Sequence, residues 1–365
     1  AYEFDNAAVM AEAFTDKIKA PDYSRVENPT VTNLERRVAA LTDAAHATAF
    51  NSGMAAISNT LMALAAQGKN IVTSKHLFGN TYALLVATLR RFGVKVRLRD
   101  LTNIEAVREA IDDDTCCVFL EILTNPQLEV ADLKAISEVA HEKNVPLVVD
   151  STVIPFTQFS AKSLGVDIEV VSSSKYVSGG ATSLGGLVID YGTPYNGDFA
   201  KRLYGEMLFN FGAYMTPQVA YMQTIGLETL DARYRVQSGN ALELAKKLRS
   251  LPQIKYVNYV GLEDNPYHEL AQRQFGKTAG AMICIDLESK EACFSFLNNL
   301  KLIHRATNLF DNRSLAIHPA STIFGAFSES MRKSMDVKDT TIRLSVGLED
   351  VDDLFEDIKQ AVNSL

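Results

Sequence analysis

Lys175 stands in Ser172-Ser173-Ser174-Lys175-Tyr176, followed by Ser178-Gly179-Gly180-Ala181-Thr182-Ser183-Leu184-Gly185-Gly186. A lysine amine condenses with carbonyls. Hydroxyls and exposed amides nearby suit a phosphate, and glycines let a backbone approach a ligand. Twenty-five residues upstream, the apolar run Val145-Pro146-Leu147-Val148-Val149 ends on Asp150. A carboxylate that closes a buried strand can keep a ring nitrogen protonated, and in α/β proteins it equally serves a metal or a ribose. Most lysines are solvated surface groups. Together, however, the two residues have the chemistry a pyridoxal phosphate site requires, a lysine for the Schiff base and an acid for the pyridine nitrogen.

Three further segments carry possible chemistry. Ser52-Gly53-Met54 precedes the helical stretch from Ala55, and such a turn offers free N–H groups and the positive dipole end to a phosphate. Alone it is also an ordinary serine cap. Phe78, in Leu77-Phe78-Gly79-Asn80-Thr81, opens a helix at a loop, where its ring can stack on a flat cofactor or simply fill the core. Arg343 is a cation within the apolar run Ile342-Arg343-Leu344-Ser345-Val346. Its forked guanidinium matches a carboxylate, which makes it the candidate clamp for a substrate's α-carboxylate.

Between residues 50 and 190, short apolar strands alternate with amphipathic helices. The strands are expected at Asn70–Ser74, Lys95–Arg99, Thr115–Glu121, Pro146–Asp150, Glu169–Ser173 and Gly186–Asp190. Helices are expected at Met54–Ala66, Thr81–Arg91, Ile104–Asp112 and Asp132–Lys143. This alternation predicts an α/β fold with a large, doubly wound, mostly parallel sheet. Ligands bind such sheets beyond the carboxyl ends of the strands, where Asp150 and Lys175 both fall. A long helix over Leu227–Leu251 is stopped by Pro252. After it, strands (Ala281–Leu287, Thr341–Val346) and helices (Lys290–Leu297, Val351–Ser364) predict a smaller C-terminal α+β domain. The resulting division is an arm over 1–35 that contacts a neighbouring subunit, a cofactor-binding α/β domain over 36–226, and the α+β domain over 227–365. The first 30 residues are polar and lack a clean period.

With 365 residues, 47% hydrophobic and 22% charged, the chain has the composition of an ordinary globular protein large enough for two domains. A net charge of −8 argues against non-specific nucleic-acid binding. No apolar stretch approaches the roughly 20 residues of a membrane span. The start, Ala1-Tyr2-Glu3-Phe4-Asp5, has neither the basic nor the apolar region of a signal peptide, and it lacks an initiator Met, so preceding residues are expected. Cys116, Cys117, Cys284 and Cys293 show no metal-ligand spacing. They read as buried reduced thiols of a cytoplasmic protein, with no metal site.

In their order, these segments resemble the Cys/Met-metabolism family of pyridoxal-phosphate enzymes. The likeness runs nearly end to end. It includes Tyr23-Ser24-Arg25 with Asn28-Pro29-Thr30, Ser52-Gly53-Met54-Ala55-Ala56-Ile57, Asn125-Pro126, Val148-Val149-Asp150 and the Ser172–Tyr176 motif. It closes with His318-Pro319-Ala320-Ser321 and Arg343-Leu344-Ser345-Val346-Gly347-Leu348-Glu349-Asp350. The resemblance implies the aspartate-aminotransferase-like fold (fold type I). It implies that Lys175 bears the cofactor, Asp150 meets the pyridine nitrogen, and Gly53, Met54, Ser172 and Ser174 hold the phosphate. Thr152 joins the cofactor set. Asn125 would lie near the ring oxygen and the substrate carboxylate, with Arg343 and Asn308 on the substrate side. Tyr23 and Arg25 would reach the phosphate of a neighbouring subunit, giving a homodimer with shared sites, paired into a tetramer.

Within the family, Thr182-Ser183-Leu184-Gly185-Gly186, Gly261-Leu262-Glu263-Asp264-Asn265-Pro266-Tyr267 and Arg313-Ser314-Leu315 resemble the O-acetylhomoserine sulfhydrylases. Phe78 departs from the tyrosine that much of the family stacks on the ring, so a phenol able to protonate a leaving group is missing. Asn308-Leu309-Phe310 replaces the usual Ser-Leu-Gly, and Thr322-Ile323-Phe324 replaces Thr-Thr-His. The resemblance implies γ-replacement on O-acetyl-L-homoserine by sulfide or a thiol, giving homocysteine or methionine plus acetate. The alternatives within the family are a methionine or cystathionine γ-lyase, an O-succinylhomoserine sulfhydrylase and a cystathionine γ-synthase. Outside the family, a dinucleotide-dependent dehydrogenase would want Gly-x-Gly-x-x-Gly after the first strand, which Ile71-Val72-Thr73-Ser74-Lys75-His76 does not supply, and a non-catalytic binding protein on this fold is the remaining alternative.

Overall fold

The computed structural model describes residues 2–15, 17–277 and 279–365. Its larger sheet has seven strands: β1 (His46–Phe50), β2 (Asn70–Ser74), β3 (Lys95–Arg99), β4 (Thr115–Glu121), β5 (Leu147–Asp150), β6 (Ile168–Val171) and β7 (Gly186–Asp190), in the order β1-β7-β6-β5-β4-β2-β3. The pairings β2·β3, β2·β4, β4·β5 and β5·β6 are parallel, while β7 runs antiparallel to both β6 and β1. Every residue of β2, β6 and β7 is buried, as expected of a sheet covered on both faces. The helix Gly53–Leu64 lies against β6 and β7 on one face, and helices Ile104–Ala110 and Leu133–His141 lie in the other layer, with Val107, Leu133, Ile136 and Val139 in its core.

The smaller sheet comprises β8 (Tyr256–Asn258), β9 (Met282–Asp286), β10 (His304–Arg305), β11 (Leu315–Ile317) and β12 (Thr341–Ser345), ordered β10-β11-β12-β9-β8. Helices Leu230–Leu248, Lys290–Asn299 and Val351–Val362 pack together with it. This is the expected α/β architecture with a second, smaller α+β sheet.

The differences from expectation have local causes. β1 was not foreseen, because His46-Ala47-Thr48-Ala49-Phe50 has no apolar run; it is held by its antiparallel pairing with β7. The long helix begins earlier than Leu227 and is two helices, Pro217–Glu228 and Leu230–Leu248, divided at Thr229 (φ −110°, ψ 4°). Its start has an ordinary signature, Thr216 capping the Val219 N–H with Pro217 in the first turn. The N-terminal segment contains a helix, Ala7–Phe14, capped by Asn6. Only Ala13 is buried in it, and Phe14 is 60% exposed. Among the described residues no helix is long and apolar enough to cross a membrane. The four cysteines are free, three of them buried and Cys116 partly so.

Candidate active site

Strands β6, β5, β4 and β2 lie side by side and parallel, so four loops leave the same sheet edge together. The chain beyond β2 carries Phe78. β4 ends on Glu121 and leads to Asn125, β5 ends on Asp150 and leads to Thr152, and β6 leads directly into Ser172–Lys175. These loops surround a cavity of about 350 Å³. Gly53, Met54, Phe78, Asn125, Asp150, Thr152, Ser172, Ser174, Lys175 and Arg343, all singled out from the sequence, line it.

One wall is the N-terminus of helix Gly53–Leu64. Ser52 Oγ accepts the Ala55 N–H at 3.1 Å, which leaves the amides of the first residues free to meet an anion. A Cβ on Gly53 would lie 2.5 Å from Ser172 Cβ, so only glycine lets the helix end and Ser172 close on one point. Thr152 Oγ1 accepts the Ser172 N–H at 2.8 Å and fixes that loop to β5. The glycines after Lys175 do not line the cavity. A side chain on Gly185 would collide with Ser173 Oγ, and one on Gly186 with Ser52 O, so these glycines let the chain pack behind the lysine instead of touching a ligand. Ser174 Oγ is engaged by Gly185, accepting its N–H at 2.9 Å.

The opposite wall comes from the smaller sheet and its loops: Arg343 on β12, with Thr307, Leu309 and Ile323. Arg343 is 2% exposed. It donates from Nη1 to Asn125 Oδ1 at 3.2 Å and from Nη2 to the Asn308 carbonyl at 3.3 Å, while its Nε has no hydrogen-bond partner. Burial pulls its guanidinium down to about 10, so it stays charged at neutral pH. A buried fork with a donor to spare is what a carboxylate would satisfy.

Lys175 Nζ donates to Asn308 Oδ1 at 2.8 Å. Burial, then the charge of Arg343, lowers its amine to about 8, against the pull of Asp150. At pH 7 roughly a tenth of this lysine is an uncharged base, far more than for an ordinary lysine. Burial raises the Asp150 carboxyl above the ordinary range, opposed by hydrogen bonds from Thr152 and by the Lys175 charge. Asn308 therefore reaches the site through Lys175 and does not line the cavity. Two residues on, Phe310 adopts φ 56°, a left-handed conformation that favours glycine and costs a non-glycine residue on the order of 1 kcal/mol. It is held by stacking on Tyr176 (4.0 Å between centroids) and by its N–H to Ser345 Oγ at 2.7 Å.

Tyr23 and Arg25 lie away from the cavity. Tyr23 is 53% exposed, and Arg25 donates to the Phe209 carbonyl at 2.7 Å. Ser52, Ile57, Asn80, Glu121, Val153, Thr307, Leu309 and Ile323 complete the lining without having been assigned a role in the site from the sequence. Of these Glu121 carried a readable signal, since it closes an apolar strand just as Asp150 does.

These groups fit pyridoxal phosphate: an amine of lowered basicity, a buried carboxyl, a helix end beside a serine, and an aromatic face. The family model for Cys/Met metabolism PLP-dependent enzymes matches residues 1–363. The chain belongs to that family. Its cofactor is accordingly pyridoxal 5'-phosphate. Among solved structures, a Campylobacter jejuni protein described as a candidate O-acetylhomoserine (thiol)-lyase superposes with a TM-score of 0.95 at 34% identity, covering 100% of this chain and 93% of the other. Its lysine carries a pyridoxyl phosphate adduct. The O-acetylhomoserine sulfhydrylase of Wolinella succinogenes is 44% identical with a TM-score of 0.83, over 92% of this chain and 96% of its own. An L-methionine gamma-lyase from Fusobacterium nucleatum subsp. polymorphum is 38% identical over 366 residues, 99% of this chain and 91% of its own. Family members of two different activities thus lie at comparable distance.

Proposed function

We propose that the protein catalyses γ-replacement on O-acetyl-L-homoserine, with sulfide or a thiol as nucleophile, giving homocysteine or methionine plus acetate. The observation that carries this reading is the aromatic residue in the cavity wall. It is Phe78, and among the described residues no tyrosine lines the site. With no phenol in this chain's own cavity lining to protonate it, a leaving group that departs as an anion is favoured. A carboxylate does so readily at neutral pH, being about four units less basic than a thiolate. The 44% identity to a sulfhydrylase supports the same choice.

Pyridoxal phosphate, when bound, supplies a protonated ring that accepts the electrons left by a departing α-proton. The rest belongs to the chain. Arg343 binds the substrate carboxylate through its unpartnered Nε side and so orients the α-carbon. Lys175, uncharged in part because it is buried beside Arg343, takes the α-proton. Asn308 Oδ1 holds Nζ by one of its hydrogens, which leaves the lone pair free and fixes the direction of attack. Asp150, anchored by Thr152, supplies the negative charge that keeps the ring nitrogen protonated. Tyr23 and Arg25 lie outside this chain's own cavity, which supports their service to the phosphate of a neighbouring copy.

The competing reading is a γ-lyase, carried by the 38% identical relative. Incubation with O-acetyl-L-homoserine, with and without sulfide or methanethiol, separates the two. Thiol-dependent formation of homocysteine or methionine is expected. Formation of 2-oxobutanoate at the same rate whether or not thiol is present would overturn the proposal.

A further inference from the structure

β4 and β5 are parallel neighbours with Glu121 directly beside Asp150, so two carboxyl groups end adjacent strands at the same level of the sheet edge. Glu121 is 6% exposed and lines the cavity. Its Oε1 accepts the backbone N–H of Phe78, and the Asn125 backbone amide lies close enough to favour its charged form. Phe78 precedes the Gly79–Ala83 helix and has no side-chain cap of its own to fix that loop. Asn125, in turn, is the residue whose Oδ1 receives Arg343.

We propose that Glu121 is a positioning residue of the cofactor site, whose carboxyl ties the Phe78 loop and the Asn125 loop to the strand edge that carries Asp150. Held in this way, the aromatic face, the carboxylate clamp and the acid at the ring nitrogen share one rigid frame. The proposal rests on the assignment of this cavity to pyridoxal phosphate and is independent of which family reaction follows.

The charge state supports a mechanical role. Burial, followed by repulsion from Asp150, raises the Glu121 carboxyl well above the ordinary range, against the opposing backbone hydrogen bonds. Asp150 lies beside Lys175 and bonds to Thr152, so of the two it is the better placed to carry the negative charge. A carboxyl shifted in this direction carries less negative charge beside Asp150 while still accepting the amide. Glutamine, with nearly the same shape and a carbonyl acceptor, should therefore substitute for it, while an apolar residue of similar volume should not.

The test uses the full chain stripped of cofactor, into which pyridoxal phosphate is titrated while the visible absorbance and the induced circular dichroism of the cofactor band are followed. Glu121→Gln is expected to keep the dissociation constant within about threefold of the parent. Glu121→Leu, which strands buried amide donors, is expected to weaken it by about tenfold or more and to diminish the induced dichroism at saturation. It should also raise KM for the amino-acid substrate more than it lowers kcat, because Asn125 and Arg343 lose their reference point. Apo-protein melting curves report whether each variant folds, and Glu121→Ala replaces the leucine variant if that one does not. Parental affinity and dichroism in the apolar variant would overturn the proposal, as would a glutamine variant as impaired as the apolar one. If the parent itself bound no pyridoxal phosphate, the cavity assignment would fail instead, whereas a lyase outcome with substrates leaves these readouts intact.

Discussion

Arg343→Met separates binding from stability at the carboxylate clamp. Arg343 is enclosed, and its guanidinium is met by the Asn125 and Asn308 oxygens. The fall of its guanidinium to about 10 corresponds to roughly 3 kcal/mol by which burial disfavours the charge. For a cation with a depressed value that penalty is fully present below about pH 10, so it acts throughout the neutral range. Methionine fills the space without charge and removes the penalty, but it forfeits two charge-assisted hydrogen bonds of about 1.5 kcal/mol or more each. The two effects nearly cancel, and the substrate-free protein should stay within about 1 kcal/mol of the parent.

Substrate binding should respond differently, because a bidentate, charge-assisted pair is worth about 1.5–3 kcal/mol, or roughly 10–150-fold in KM. Removing the positive charge also removes the second influence that holds Lys175 near 8, so the acidic limb of the pH–rate profile should move toward alkaline pH. Thermal melts without substrate and initial rates from about pH 6 to 10 measure all three quantities. A melting temperature lowered by several degrees with an unchanged KM would refute this reasoning and make Arg343 a structural residue.

Lys175→Ala should abolish turnover and the yellow, borohydride-sensitive colour while leaving the far-ultraviolet dichroism unchanged; residual activity near that of the parent would contradict its assignment. Phe78→Tyr places a phenol at the cavity wall and, since general acids contribute on the order of 10²-fold or more, should raise elimination from methionine by at least about tenfold with little change toward O-acetylhomoserine; an unchanged elimination rate would remove the argument from leaving groups. His76 sits between Glu129 and Asp336. Burial lowers its imidazole, but the two carboxylates more than offset this, and its pKa ends above 6.5. The stabilisation from this raised value is fully present below 6.5 and is lost as pH rises through it, so His76→Gln should narrow the difference in melting temperature between about pH 6 and 8.5.

What could be read from the chain was what has a local signature. Lys175 behind serines, Asp150 after an apolar run, Gly53-Met54 at a helix start and Arg343 inside an apolar strand each break a short pattern, and all four line one cavity. The Lys175–Asn308 bond could not be read that way, because it joins residues 133 apart through the packing of one sheet on another. The glycines after Lys175 were read as approach points for a ligand, and they are contact points for the chain itself, a distinction that needs the neighbouring atoms.

Glu121 shows where the boundary falls. Val118-Phe119-Leu120-Glu121 and Leu147-Val148-Val149-Asp150 have the same pattern, an apolar strand closed by an acid, and either could have been chosen. Chain order separates β2 from β4 by β3, but sheet order moves β3 to the edge and sets β4 between β5 and β2. Only in that order can one carboxyl stand beside Asp150 on one side and receive the amide of the loop after β2 on the other. In the proposed site the acid that ends β5 is the partner of the cofactor, and the acid that ends β4 is the partner of the loops flanking it. The chemical difference between two identical sequence signals is thus set by which strand lies in the middle.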